Sequence, residues 1–133
     1  SLRIGQLYFY PQQRHRMRVV IVDDEWYGLD ITYRLLTQVR VDLEVVAFFQ
    51  NPAEALEKIP LLSPDLIILD IEMPYISGFE MYEQLKGMKS YFLLVTALSD
   101  PYGKAAHWDS NVKILKKPFC KTDMSTLLNT MIF

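Results

Sequence analysis

Five side chains suited to handling a phosphoryl group stand at or near the ends of short apolar runs. Asp23 and Asp24 follow the run Arg18–Val22, Asp70 stands near the end of Asp65–Ile71, Thr96 closes Tyr91–Thr96, and Lys117 follows Val112–Leu115. If these runs are parallel strands of one sheet, ligands bind beyond their carboxyl ends, so three carboxylates, a hydroxyl and an ammonium face one pocket. Converging carboxylates repel and raise one another's pKa unless a cation holds them, and a small set of hard oxygen ligands suits Mg²⁺, or Mn²⁺ in its place. Phosphoryl transfer asks the protein for an oxygen nucleophile, neutralisation of the transferred charge and little else. Asp70 can be that nucleophile. The metal and Lys117 would neutralise the incoming charge, the Thr96 hydroxyl could hydrogen-bond a phosphoryl oxygen once attached, and the small Ala97 leaves room for access.

Taken singly, each residue has an ordinary reading. An aspartate after a strand is commonly a turn or capping residue, a threonine ends many strands, and a lone lysine is usually solvated surface. The case for chemistry rests on the constellation at four strand ends.

Hydrophobic patterning predicts how these residues meet. From Arg18 onward, short apolar runs alternate with amphipathic stretches in five βα units, which favours an α/β fold with a parallel sheet over a sandwich. Arg18–Val22 is a β-branched run without polar alternation, as expected for a strand covered on both faces, and Asp65–Ile71 is apolar enough to be the central strand. Leu43–Phe49, Tyr91–Thr96 and Val112–Leu115 supply the others. The first helix is expected over about Tyr27–Val39, with Ile31, Leu35, Leu36 and Val39 as its buried stripe. The second enters at Asn51 as N-cap, with Pro52 in the first turn and Glu54 at the capping-box position, and runs to about Ile59. Ser77 and Glu80 frame a capping box for the third, which buries Phe79, Tyr82 and Leu85. A fourth helix is expected near Asp100 and Pro101, weakly anchored because only Tyr102, Ala105, Ala106 and Trp108 can be buried. Met124, Leu127, Leu128 and Met131 mark the last helix.

Composition bounds the setting. A chain of 133 residues, half of them apolar, can bury one core without staples. Its single cysteine, Cys120, cannot close an internal disulfide, and His15 and His107 are too far apart in sequence to suggest a metal site, so a reducing, cytoplasmic setting is expected. No apolar run approaches the roughly 20 residues that span a bilayer, and no signal-peptide pattern opens the chain. Residues 1–18 hold four arginines and no acid, so the net charge of −2 conceals −6 over the remainder. That acidic balance argues against a nucleic-acid surface on the folded part, and any DNA contact is expected to come from an effector domain outside this chain.

The motifs together resemble a known family. VIVDDE at Val20–Glu25, LIILDIEMPYISGFE at Leu66–Glu80, LLVTA at Leu93–Ala97 and KKPF at Lys116–Phe119 are similar, in order and separation, to bacterial response-regulator receiver domains. The resemblance covers about Arg18–Phe133 and leaves residues 1–17 as an N-terminal extension or cloning-derived segment. It implies a three-layer, doubly wound (βα)₅ fold of the flavodoxin-like kind, with strand order 2-1-3-4-5. It also implies Asp70 as phosphoacceptor, Asp24 as a direct metal ligand, Asp23 as an acid acting mostly through water, and the Glu72 backbone carbonyl as a further ligand. Thr96 and Ala97 would meet the phosphoryl oxygens with Lys117, whose bond to Pro118 is commonly cis in the family. The side chains of Glu72 and Leu98 flank the site and are expected to tune the phosphoryl lifetime. A histidine kinase or phosphotransfer protein would be the donor, and the surface of the fourth helix, fifth strand and fifth helix would carry the output, with homodimerisation as one form of it. DIEMP at Asp70–Pro74 looks like receivers attached to LytTR-type DNA-binding domains.

One position departs from the family. Three residues before the pocket lysine, where the family usually has Tyr or Phe, stands Ile114. The switch is therefore expected to work through Thr96 and the fourth helix without an aromatic ring, or else to transmit poorly. Two other readings use the same residues: a phosphohydrolase with an aspartate nucleophile, which calls for Asp-x-Asp where this chain has adjacent Asp23 and Asp24, and an interaction module independent of phosphorylation.

Overall fold

The β-branched runs pair as expected. In the computed structural model, which describes residues 16–98 and 110–131, β1 (Met17–Val22), β2 (Leu43–Phe49), β3 (Leu66–Asp70), β4 (Tyr91–Thr96) and β5 (Val112–Lys116) form one sheet. All neighbours are parallel and the order is β2-β1-β3-β4-β5. Four helices lie among the described residues: α1 (Trp26–Val39), α2 (Pro52–Leu62), α3 (Gly78–Leu85) and α4, the last helix (Lys121–Met131). The expected fourth helix and residues 1–15 lie outside the described residues.

Period-two alternation sends each strand's side chains to opposite faces. Val20, Val22, Ile67, Leu69, Phe92 and Leu94 pack beneath α2 and α3, while Val19, Ile21, Ile68, Leu93, Val95 and Leu115 pack beneath α1 and α4. Every residue of β3 is buried, as its apolar density predicted for a central strand.

Local signals set the helix ends. The Asn51 side chain accepts from the backbone N–H groups of Ala53 and Glu54, and Ser77 and Glu80 close a reciprocal capping box at α3. Glu54 makes no such reciprocal bond in the second helix and pairs with Lys58 one turn on. That helix runs past Ile59 to Leu62 with Pro60 inside its last turn, and it stops at Ser63 in the left-handed conformation (φ 48°). The Arg18 guanidinium donates to the Leu62 carbonyl (2.7 and 3.2 Å), satisfying an end group of α2 with a cation placed favourably for the helix dipole.

The stripe expected on α1 is corrected. Leu29, Thr32 and Leu36 are its buried residues, Leu35 and Val39 are half-buried, and Ile31 faces outward. Spacing by four fits more than one helical face, and the face taken here is set by Leu29 and Leu36 at a spacing of seven with Thr32 between them.

Candidate functional site

The order of the strands makes the site. The chain leaves β1 in one direction to form β2 and returns on the other side to form β3, so the crevice at the carboxyl ends opens between β1 and β3. Val22 is in register with Leu69, which sets Asp23 beside Asp70. Asp70 pairs with Val95, and Thr96 with Lys116, which brings Thr96 and Lys117 to the same edge. The Lys117 backbone N–H donates to the Thr96 carbonyl (2.7 Å), and the Lys117–Pro118 peptide is cis.

Two close approaches hold the acids in place. Glu25 N–H donates to Asp23 Oδ1 (3.0 Å), and a Cβ at Gly28 would fall onto the Asp23 carboxylate, so a larger residue there would push that carboxylate out of its place. Gly78 does the same beneath β3: its own Cβ would lie 2.5 Å from the Asp70 carbonyl oxygen and 2.8 Å from Ile71 Cα. Those neighbours are backbone and cannot swing aside. Gly78→Ala is therefore expected to cost about 1–3 kcal/mol in denaturant unfolding, the usual penalty of overpacking, and wild-type stability would contradict this contact.

Asp23, Asp24 and Asp70 each present a carboxylate oxygen within 4.8 Å of the others. Asp23 and Asp70 are buried, at 7% and 5% exposure, and Thr96 is fully buried. Lys117 Nζ lies 3.1 Å from Asp70 Oδ1, with its side chain 38% exposed. Burial, reinforced by the charge of Asp23 and only partly offset by Lys117, pushes the Asp70 pKa up to about 6. Burial also raises Asp23, against the hydrogen bond from Glu25. Desolvation acts to lower Lys117, but the charge and hydrogen bond of Asp70, with Asp23 and Glu72, outweigh it and hold the ammonium above its ordinary range. One ammonium against three converging carboxylates leaves negative charge in excess. The oxygen-only donor set suits a hard divalent cation, so the acidic pocket could bind one.

Because folding raises Asp70, the folded chain holds that proton more tightly than the unfolded chain, and ionising Asp70 destabilises the fold. The cost is absent below the ordinary carboxylate range, grows toward pH 6 and is complete above it. In chelator at pH 8, Asp70→Asn is expected to be more stable than wild type by an amount on the order of 1–3 kcal/mol, with the gap closing near pH 4. Equal pH dependence of the two in chemical denaturation would refute the shift.

One contact was not foreseen. The Glu72 side chain, expected only to border the site while its backbone carbonyl served as a ligand, accepts from Thr96 Oγ1 through Oε2 (2.6 Å) and from Ala97 N–H through Oε1 (2.8 Å). Thr96 Oγ1 in turn accepts from Leu98 N–H (2.9 Å). Ile114 is half-buried on β5, in register with Leu94, and packs against the cluster beneath α2 and α3. Beside Lys117 a cleft of about 540 Å³ opens, walled by Tyr27, Ile31, Thr32 and Phe119. Trp26 is exposed at the start of α1. Cys120 is also exposed, with its thiol and N–H on Asp123 Oδ2.

Comparisons with known proteins bear on the family and on the fold. Residues 19–129 match the family described as the response regulator receiver domain. The transcriptional regulatory protein BtsR of Salmonella typhimurium is 34% identical over 102 residues, which cover 77% of this chain and 42% of that protein. The chain thus spans less than half the length of that relative. The response regulatory domain of mrkE from Klebsiella pneumoniae superposes with a TM-score of 0.76 at 21% identity, over 86% of this chain and 94% of that one. The isolated REC domain of RcsB from Salmonella enterica serovar Typhimurium, solved in the presence of the phosphomimetic BeF3-, gives 0.73 at 24% identity, covering 86% of each chain. At these identities the two structures speak for the fold.

Proposed function

The chain belongs to the response regulator receiver domain family, and on that basis we propose that it accepts a phosphoryl group on Asp70, in a reaction requiring Mg²⁺ or Mn²⁺, and uses the added charge as a switch. The observation that carries this reading is the buried Asp70 carboxylate, paired with Lys117 Nζ at 3.1 Å and clustered with Asp23 and Asp24. An Asp70 oxygen attacks the donor phosphorus; a new P–O bond forms as the donor's P–N or acyl P–O bond breaks, and the leaving group keeps the electron pair. Asp23, Asp24 and Asp70, with the Glu72 backbone carbonyl, would hold the cation, which when bound supplies charge neutralisation for the phosphoryl oxygens. Lys117 keeps Asp70 oriented and meets the developing charge from the other side. Thr96 and Ala97 provide a hydroxyl and an N–H for the attached group.

The donor would be a histidine kinase, a phosphotransfer protein or a small acyl phosphate. Attachment adds about −1.5 to −2 charges to the pocket, enough to bias the surface of the expected fourth helix, β5 and α4, including through homodimerisation. The receiver would occupy residues 18–133, with 1–17 as an extension, and its chemistry would be limited to its own phosphorylation and dephosphorylation. The name of the BtsR relative supports a transcriptional output with DNA contact made by another part of a longer protein. No helix among the described residues is long and apolar enough to cross a membrane.

A second reading, an interaction module independent of phosphorylation, is favoured by Ile114 at the position where the family's switch ring usually stands. Intact mass after incubation with a phosphoramidate or acyl phosphate, with Mg²⁺ or with chelator, separates the two. The receiver gains one phosphoryl group only with the cation. No gain and no response to beryllofluoride would support the inert module, and steady turnover of unrelated phosphoesters would support a hydrolase.

A further inference from the structure

The donors assigned to the phosphoryl oxygens are already occupied by an anion of the chain itself. Glu72 stands two residues beyond Asp70, and the pairing of Asp70 with Val95 brings it beside the end of β4. Its two oxygens take the Thr96 hydroxyl (2.6 Å) and the Ala97 N–H (2.8 Å). An ionised carboxylate offers acceptors only, and here both of its oxygens accept from the donors that a phosphoryl group on Asp70 would need.

Accepting the phosphoacceptor reading of Asp70, we propose that the Glu72 carboxylate holds the phosphoryl-oxygen site in the unphosphorylated chain and that phosphorylation acts by displacing it. Two anions cannot share one hydroxyl and one N–H at contact distance without strong repulsion, and the attached group carries the larger charge. Displacement is inexpensive because Glu72 lies at the exposed mouth of the pocket, where water can solvate the released carboxylate. Thr96 Oγ1 also accepts from the Leu98 N–H (2.9 Å), a contact that Glu72 does not supply. The moving part is then Glu72, whose release would change the charge presented between the loop after β3 and the end of β4. This gives a readout that needs no aromatic ring at Ile114. Glu72 is in this sense a positioning residue: it keeps Thr96 and Ala97 aimed at the site while competing for it.

The test uses wild type, Glu72→Ala and Glu72→Gln, all of which retain the backbone carbonyl at position 72. Phosphorylation by an acyl phosphate with Mg²⁺ is followed by intact mass, and the backbone amides by NMR with and without beryllofluoride. Removing the competitor is expected to speed phosphorylation and tighten beryllofluoride binding about three- to tenfold in Glu72→Ala, as for one or two exposed charge-assisted hydrogen bonds, with Glu72→Gln between. The Ala97 amide proton is expected to move upfield in Glu72→Ala, where its carboxylate partner is gone, and back downfield on adding beryllofluoride. A purely structural role would not produce that reversal. Normal uptake by wild type, with an unchanged rate in Glu72→Ala and an unmoved Ala97 amide, would overturn this inference alone. No uptake by any of the three would overturn the phosphoacceptor reading and this inference with it.

Discussion

Phosphorylation that depends on a divalent cation is expected to disappear when Asp23 and Asp24 are both replaced by Asn, while the chain stays folded. The two carboxylates contribute two of the three charges that converge within 4.8 Å, so their removal takes away most of what a hard cation would bind. The loss in Mg²⁺ affinity should exceed the roughly 10–100-fold that outer partners of a metal site are commonly worth. Folding should survive because an amide oxygen at position 23 can still accept from Glu25 N–H, and because relieving Asp70 of a buried like charge favours the folded state. Calorimetric Mg²⁺ titration and a thermal melt in chelator check both halves. Lost affinity with an equal or higher melting temperature is the expected pair, whereas wild-type Mg²⁺ binding would place the metal elsewhere.

The second large effect is expected at Lys117. It is the cation seen on Asp70, at 3.1 Å, and among the described residues its charge and hydrogen bond draw that acid's pKa down against burial, Asp23 and Glu72. Lys117→Ala is expected to slow phosphorylation by about 10²–10³, the usual cost of deleting one preorganised donor aimed at developing charge. It should also raise the Asp70 pKa further, because the charge and hydrogen bond that draw it down are gone. Lys117→Arg keeps the charge but replaces a compact ammonium by a planar fork, so an intermediate rate is expected. Time courses of intact mass at fixed donor and Mg²⁺ measure all three, and a Lys117→Ala rate equal to wild type would remove this residue from the chemistry.

Much of this arrangement was legible in the chain itself. Apolar runs such as Leu66–Leu69 identify strands buried on both faces, and a residue at the end of such a run is located once the sheet is parallel. Asp23, Asp24, Asp70, Thr96 and Lys117 were therefore placed together without coordinates, and register brings them to one edge. The orientation of α1 was less legible. Thr32 adds nothing to a count of apolar residues although it is buried, so the count favoured Ile31, which faces outward. The Glu72 contact was hidden for a different reason: it joins residues 24 and 25 positions apart, and only the pairing of β3 with β4 reveals that an exposed loop acid meets the Thr96 hydroxyl. The one available signal was an acid two positions after Asp70, whose side chain was expected to flank the site without an assigned partner.

The central claim is that Asp70 carries the phosphoryl group. Borohydride reduces an acyl phosphate at its carbonyl and releases phosphate, converting a phosphorylated aspartate to homoserine. Reducing the chain after incubation with an acyl phosphate and Mg²⁺, then sequencing its peptides by mass spectrometry, should find homoserine at position 70 and at no other acid. Homoserine at another aspartate, or a phosphoryl group retained on His15 or His107 with position 70 unchanged, would contradict it.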